Sequence, residues 1–190
     1  MKRGELFDLI RDVREHFELE RIVIAGSQAI HAVATEDSLP GSALRSIEVD
    51  IVLIGEQFEL KSKVFLEFGM GSNYLAEHGV VADPIGKGLL ALPPNWEERL
   101  IKVSDNNGGY SHHSIEIHDI ASAKLSAGRD KDYEFLIESI PRNLIDPELL
   151  ACRFELLRET AFGGAVNDRK LSLMEKLEEA GLDVAASYFK

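Results

Sequence analysis

Two acidic residues interrupt an apolar run in the first third of this sequence, Ile47-Glu48-Val49-Asp50-Ile51-Val52-Leu53-Ile54. On an extended strand, residues two apart project from one face, so the Glu48 and Asp50 carboxylates stand side by side. Like charges so placed repel, and apolar surroundings raise the cost unless something neutralises them. A divalent cation does so directly, because hard cations take carboxylate oxygens. Carboxylate pairs of this kind hold the Mg2+ ions that polarise a phosphate and activate an attacking oxygen in phosphoryl and nucleotidyl transfer. The same two acids would also suit the solvent face of an edge strand.

A second element precedes them. Arg21-Ile22-Val23-Ile24-Ala25 is a short apolar run closed by Gly26, and Ser27 to Ala34 resumes helical spacing. A glycine between strand and helix lets the backbone turn tightly and lets a ligand approach the amides. The helix start offers unpaired N–H groups and a positive dipole end, both suited to phosphate, with Ser27 placed to cap the helix or donate to the same anion. A plainly capped helix has this appearance too, and it is the combination with Glu48 and Asp50 that points to a site. A third element lies near residue 130: Lys124, Gly128, Lys131 and Asp132 share one face of a predicted helix, flanked by Arg129. Lysines there would neutralise phosphate charge, and Asp132 would orient a base or a neighbouring cation. A solvated helix of mixed charge fits the same residues, but a mid-helix Gly128 costs about 1 kcal/mol against alanine and implies close approach of packing or ligand.

Other chemistries find no support. The sequence holds no GxGxxG fingerprint, no P-loop and no GxSxG elbow. His112, His113 and His118 lack both HxxxH spacing and a cysteine partner, so they make no transition-metal motif; His118 beside Asp119 reads as ordering a strand-to-helix turn. Trp96 reads as packing. Cys152, the single cysteine, excludes an intrachain disulfide, suits a reducing compartment, and lies among Leu149, Leu150, Phe154 and Leu157 as a buried helical thiol.

The elements that must position these residues follow from periodicity. Leu6, Ile10, Val13 and Phe17 form the stripe of an amphipathic first helix, not a signal peptide. Strands are predicted at 21–25 and 46–54, a helix over 58–69, and short strands near 80–82, 100–103 and 114–117, with turn chemistry over 105–109. Asp119 opens a long predicted helix running to about Ile140 and stopped by Pro141. Helices over 147–162 and 168–180 complete the chain, broken at Gly163-Gly164 and stopped at Gly181. The fold class is therefore α/β (α+β): a mixed sheet flanked by helices over residues 1–140, with a C-terminal helical segment, 141–190, packed on or beside it.

Bulk properties set limits. At 190 residues, 45% apolar and 28% charged, the chain has the composition of an ordinary globular protein. With 33 acidic against 21 basic residues and a net charge of −12, broad binding along nucleic-acid backbones is disfavoured. No apolar run approaches the roughly 20 residues that span a bilayer, so no membrane partner is expected and the cytoplasm is the expected location.

A Gly-Ser after one strand and an acid-x-acid on the next resembles the nucleotidyltransferase superfamily that includes polymerase beta. More narrowly, Gly26 to Ile30, Arg45 to Asp50 and Ile117 to Asp132 resemble a family of small bacterial nucleotidyltransferases with a domain of unknown function (DUF6036-like). That family looks related to the AbiEii-type abortive-infection toxin nucleotidyltransferases, which pair with antitoxins. The similarity covers about residues 20 to 140. It implies transfer of an NMP from an NTP to a hydroxyl of an RNA such as a tRNA end, a protein or a small molecule, with Mg2+ or Mn2+ on Glu48 and Asp50. Gly26, Ser27, Lys124, Arg129, Lys131 and Asp132 would bind the nucleotide. A third carboxylate is expected on a later strand, where alternation favours Glu116 over Asp119 and Asp83. Ser27 and Glu48 lie 21 positions apart, longer than in most of the superfamily. An alternative is a catalytically degraded module that regulates through a protein partner, such as an antitoxin. A homo-oligomer joined through the C-terminal helices is a further alternative.

Overall fold

The computed structural model describes residues 1–53, 58–104 and 111–190. Helix α1 (Arg3–His16) leads into strand β1 (Ile22–Ile24), and a 3-10 segment (Gly26–Ala32) follows directly. After the short helix α2 (Gly41–Arg45) come β2 (Glu48–Leu53), α3 (Phe58–Phe68), α4 (Asn73–His78) and β3 (Val81–Ile85). Then β4 (Ile101–Ser104) and β5 (Ser111–Ser114) lead to α5 (Ile117–Ala127), α6 (Asp130–Ser139), α7 (Pro147–Glu155), α8 (Val166–Glu179) and α9 (Asp183–Ala186). The strands form one mixed sheet in the order β3-β2-β1-β5-β4, with β1 antiparallel to β2 and parallel to β5.

Alternation sorts the strand residues between two faces. Ile22, Ile24, Val49, Ile51 and Leu53 pack with Leu6, Leu9, Ile10 and Val13 of α1 and Val64 and Phe68 of α3. Val23, Ala25 and Val52 face the other way and pack with Ala29, Ile115, Ile120 and Ala123. Glu48 and Asp50 have the parity of Val52, so they open toward the α5 side. A separate apolar cluster joins Ile117, Leu125 and Phe135 to Leu150, Phe154, Leu157, Leu173 and Leu177, so α7 and α8 share a core with α5 and α6. The C-terminal leucines that could have joined two copies of the chain are thus largely used within one, although Leu149 and Leu171 remain exposed.

Several sequence expectations change. The helix foreseen from Asp119 to Ile140 is two helices, broken where Gly128 takes φ +61° as the left-handed cap of α5. The left-handed backbone at a helix end favours this glycine, and a Cβ there would also overlap the Arg169 guanidinium, so the expected close approach is one of packing. Glu116 is not on a strand: β5 ends at Ser114, and the Glu116 carboxylate caps α5 by accepting from the His118 amide at 3.1 Å. Ser27 caps nothing, for the 3-10 segment begins after Ala25 and has no side-chain cap. Cys152 is exposed, because Leu150 and Phe154 turn inward on either side of it. The turn foreseen over 105–109 lies outside the described residues.

Two polar clusters tie down the α5 end of the sheet. Asp146 N donates to His118 Nε2 at 2.9 Å, so the ring proton sits on Nδ1 and is donated to Glu116 Oε1 at 2.7 Å. Asp119, fully buried, accepts from Arg99 Nε at 2.8 Å and Nη2 at 3.0 Å, with Arg153 Nε at 3.7 Å. It therefore ties the segment before β4 to α5 and α7. Replacing Asp119 with alanine strands two arginines, and we expect a loss of about 3 kcal/mol in urea unfolding, as for other broken buried pairs. A loss below about 1 kcal/mol would show that solvent already serves both guanidinium groups.

Candidate active site

The antiparallel pairing of β1 and β2 brings the end of one against the start of the other. Ile24 pairs with Ile51, and the next rung is closed by Ala25 N donating to Asp50 O at 2.8 Å. The chain then turns at Gly26, whose φ is +59°. A Cβ at this position would overlap the Asp50 carboxylate, so glycine is required by space as well as by backbone angle. The Gly26 turn and Asp50 are thus one structural unit.

Strand β3 adds a third acid. It runs parallel to β2 with Asp83 directly opposite Asp50 and Val81 opposite Glu48. Glu48, Asp50 and Asp83 all line one cleft of about 750 Å3, together with Gly26 and Ser27. Lys124, Arg129 and Lys131 supply cations to the same cleft, and Arg45, Leu89 and Phe162 lie on its wall. Glu116 does not line it, and neither does Asp119. Of the three acids weighed for the later carboxylate, only Asp83 shares the cleft with Glu48 and Asp50. Its strand was expected to stop at Ala82, before Pro84; β3 is the sheet's edge, where a proline removes no needed hydrogen bond.

The charges in the cleft are unequal in their settings. Burial pushes the Asp50 carboxyl up to about 6, and the nearby charges of Glu48 and Asp83 add to this, while Lys124 and Lys131 pull it back. Burial also raises Asp83. Lys124 is lowered by burial despite its acidic neighbours, and its ammonium lies 4.5 Å from the centre of the Phe135 ring. Asp132 is fully buried and off the cleft wall. It accepts from Lys124 Nζ at 3.2 Å and from Arg129 Nε at 2.6 Å. Burial alone would raise the Asp132 carboxyl, but the Arg129 hydrogen bond and the Lys124 charge together hold it below the ordinary range. Asp132 thus holds two cations in place, and those cations, not Asp132, line the cleft. Lys131 is exposed and makes no hydrogen bond or ion pair among the described residues.

Fit to a metal can be judged from the donor set. Among the described residues, no three of His, Cys, Asp and Glu converge into a ready metal cage. Mg2+ needs no such cage when it binds with phosphates, since one or two carboxylates and retained waters suffice. Glu48 and Asp50, two apart on one strand face, meet that lesser requirement. The Gly26–Ala32 segment offers less to an anion than a long helix would: seven residues of 3-10 geometry align few peptide dipoles.

An acid pair set against a glycine turn on a five-stranded mixed sheet, with a lysine-bearing helix over the same face, is the arrangement that the resemblance to nucleotidyltransferases implies. The chain belongs to the family described as nucleotidyltransferase of unknown function (DUF6036), whose model matches residues 4–180. The match extends through α8 and so includes C-terminal helices beyond the 20–140 range of the resemblance. No curated protein and no solved structure matches the chain. Among the described residues, no helix is long and apolar enough to cross a membrane.

The raised Asp50 carboxyl gives a stability signature. The folded protein keeps this proton to higher pH than the unfolded chain does, so the group's contribution falls as pH rises from about 4 to about 6. Asp50→Asn, without added metal, should therefore stabilise the protein by about 3 kcal/mol at pH 8 and by roughly half that at pH 5. Denaturant unfolding at the two pH values checks this; a destabilised Asn variant, or a gain independent of pH, would contradict the buried-carboxylate reading.

Proposed function

We propose that this protein is a metal-dependent nucleotidyltransferase that moves an NMP from an NTP to an acceptor hydroxyl. The observation that carries the reading is the placement of Asp50, against the Gly26 turn and opposite Asp83, in one cleft with Lys124, Arg129 and Lys131. Glu48 and Asp50 would hold Mg2+ or Mn2+, with Asp83 completing the acidic set in place of Glu116. When bound, the metal supplies charge neutralisation at the α-phosphate and a lower pKa for the attacking oxygen.

The residues divide the remaining work. Lys124 and Arg129, held by Asp132, and the freer Lys131 neutralise the triphosphate and stabilise the leaving pyrophosphate. The Gly26 backbone and the Ser27 hydroxyl donate to phosphate oxygens where no Cβ blocks approach. The Asp83 carboxylate, made more basic by burial, accepts the acceptor's proton. The acceptor oxygen forms a bond to the α-phosphorus, the bond between that phosphorus and the α–β bridging oxygen breaks, and pyrophosphate departs with the electron pair. The net charge of −12 favours an acceptor presented locally, such as a tRNA end, a protein side chain or a small molecule, over one gripped along a nucleic-acid backbone.

Binding and transfer test separate parts of this reading. An NTP with Mg2+ or Mn2+ at about 100 times its Kd should stabilise the wild type by about 2.7 kcal/mol, and Asp50→Ala should abolish that shift. With labelled NTP and a panel of acceptors, Asp50→Asn and Asp83→Asn should each lower transfer by at least about a hundredfold, while Glu116→Gln stays within about twofold. Absence of any nucleotide or metal shift in the wild type would favour a binding module that acts through a protein partner.

A further inference from the structure

An NTP offers two chemically different handles, and the charged groups above engage only the triphosphate. The base needs an apolar or aromatic surface, and the cleft has two phenylalanines among its described lining residues, Phe135 and Phe162. Phe135 is fully buried, and Lys124 lies over its ring. Phe162 is 39% exposed, in the segment that joins the helices after α7 to α8.

The turn that carries Phe162 is tightly held. Thr160 Oγ1 donates to Leu157 O at 2.7 Å and accepts from Phe162 N at 3.1 Å, while Gly163 N donates to Thr160 O at 3.1 Å. Gly163 packs so closely on the Arg158 backbone that a Cβ would overlap it. Arg158 in turn pairs with Glu155 on α7 and donates to Asn167 Oδ1 on α8 at 2.7 Å. The anchoring holds the backbone of a ring that is still 39% exposed. With its backbone held at the edge of the cleft, a phenylalanine has only two side-chain torsions to restrict when it stacks on a flat ligand.

We infer that Phe162 is the stacking platform for the nucleobase of the bound NTP, so that the C-terminal helical segment supplies part of the nucleotide site. This rests on the nucleotidyltransferase reading above. Stacking on a single ring is tolerant of base identity, since every base has a π-face. The platform therefore supports purine and pyrimidine NTPs alike, and any choice among them is made by other contacts.

Isothermal titration of the full-length protein with Mg2+ and ATP, CTP or inorganic tripolyphosphate tests the inference. Phe162→Leu keeps apolar bulk and removes the ring; it should raise the Kd for both NTPs on the order of tenfold and leave tripolyphosphate binding within about twofold. Phe162→Trp should bind both NTPs at least as tightly as the wild type. Equal loss for NTPs and tripolyphosphate would mark Phe162 as a structural support of the phosphate site and overturn the platform. Unchanged NTP affinity in Phe162→Leu would overturn it as well. Wild-type protein that binds tripolyphosphate as tightly as ATP would defeat the base subsite while sparing the phosphate site. Wild type that binds neither would defeat the underlying nucleotide reading and the platform with it.

Discussion

The molecule is organised around a carboxylate, Asp50, that folding places under strain. It lies at the start of β2, pressed against a glycine turn, opposite a second acid and two residues from a third. Hydrophobic burial on the other face of the strand, where Val49 and Ile51 meet α1 and α3, holds it there. The fold thus uses apolar packing on one face to offset electrostatic repulsion on the other. Such an arrangement is costly in an unliganded protein, and acids collected with cations in a cleft are characteristic of functional sites.

The cations opposite are organised by the same logic in reverse. Asp132 is buried off the cleft wall and spends its charge on Lys124 and Arg129, which keeps their positions set before any ligand arrives. The break between α5 and α6 makes this geometry available. The left-handed backbone at Gly128 redirects the chain, and Lys124 from the end of one helix meets Asp132 from the start of the next. One continuous helix would have placed these residues two turns apart.

The helical layer is more than a lid over the sheet. His118 bridges the caps of α5 and α7, Asp119 binds arginines from before β4 and from α7, and α7 and α8 share a core with α5 and α6. The family match through residue 180 agrees with this integration. Cleft residues from Gly26 to Phe162 therefore come from segments distant in the chain but joined through shared packing.

Local chemistry was legible in the sequence. The parity of Glu48 and Asp50 on an apolar strand, the glycine after β1 and the amphipathic stripe of α1 depend only on backbone period and side-chain type, and each element formed as its pattern required. Strand ends and long-range partners were not legible. Alternation extended β5 to Glu116, whereas a capping bond to His118 ended strand character there, and Pro84 concealed that β3 continues past Asp83 because sheet-edge position is a tertiary property. Cys152 and its apolar neighbours in sequence showed the same limit, since burial follows which helix face meets another element. The sequence determined which residues could carry charge and turn the chain; register between strands and the docking of helices decided which of them meet, because those depend on surfaces brought together from distant parts of the chain.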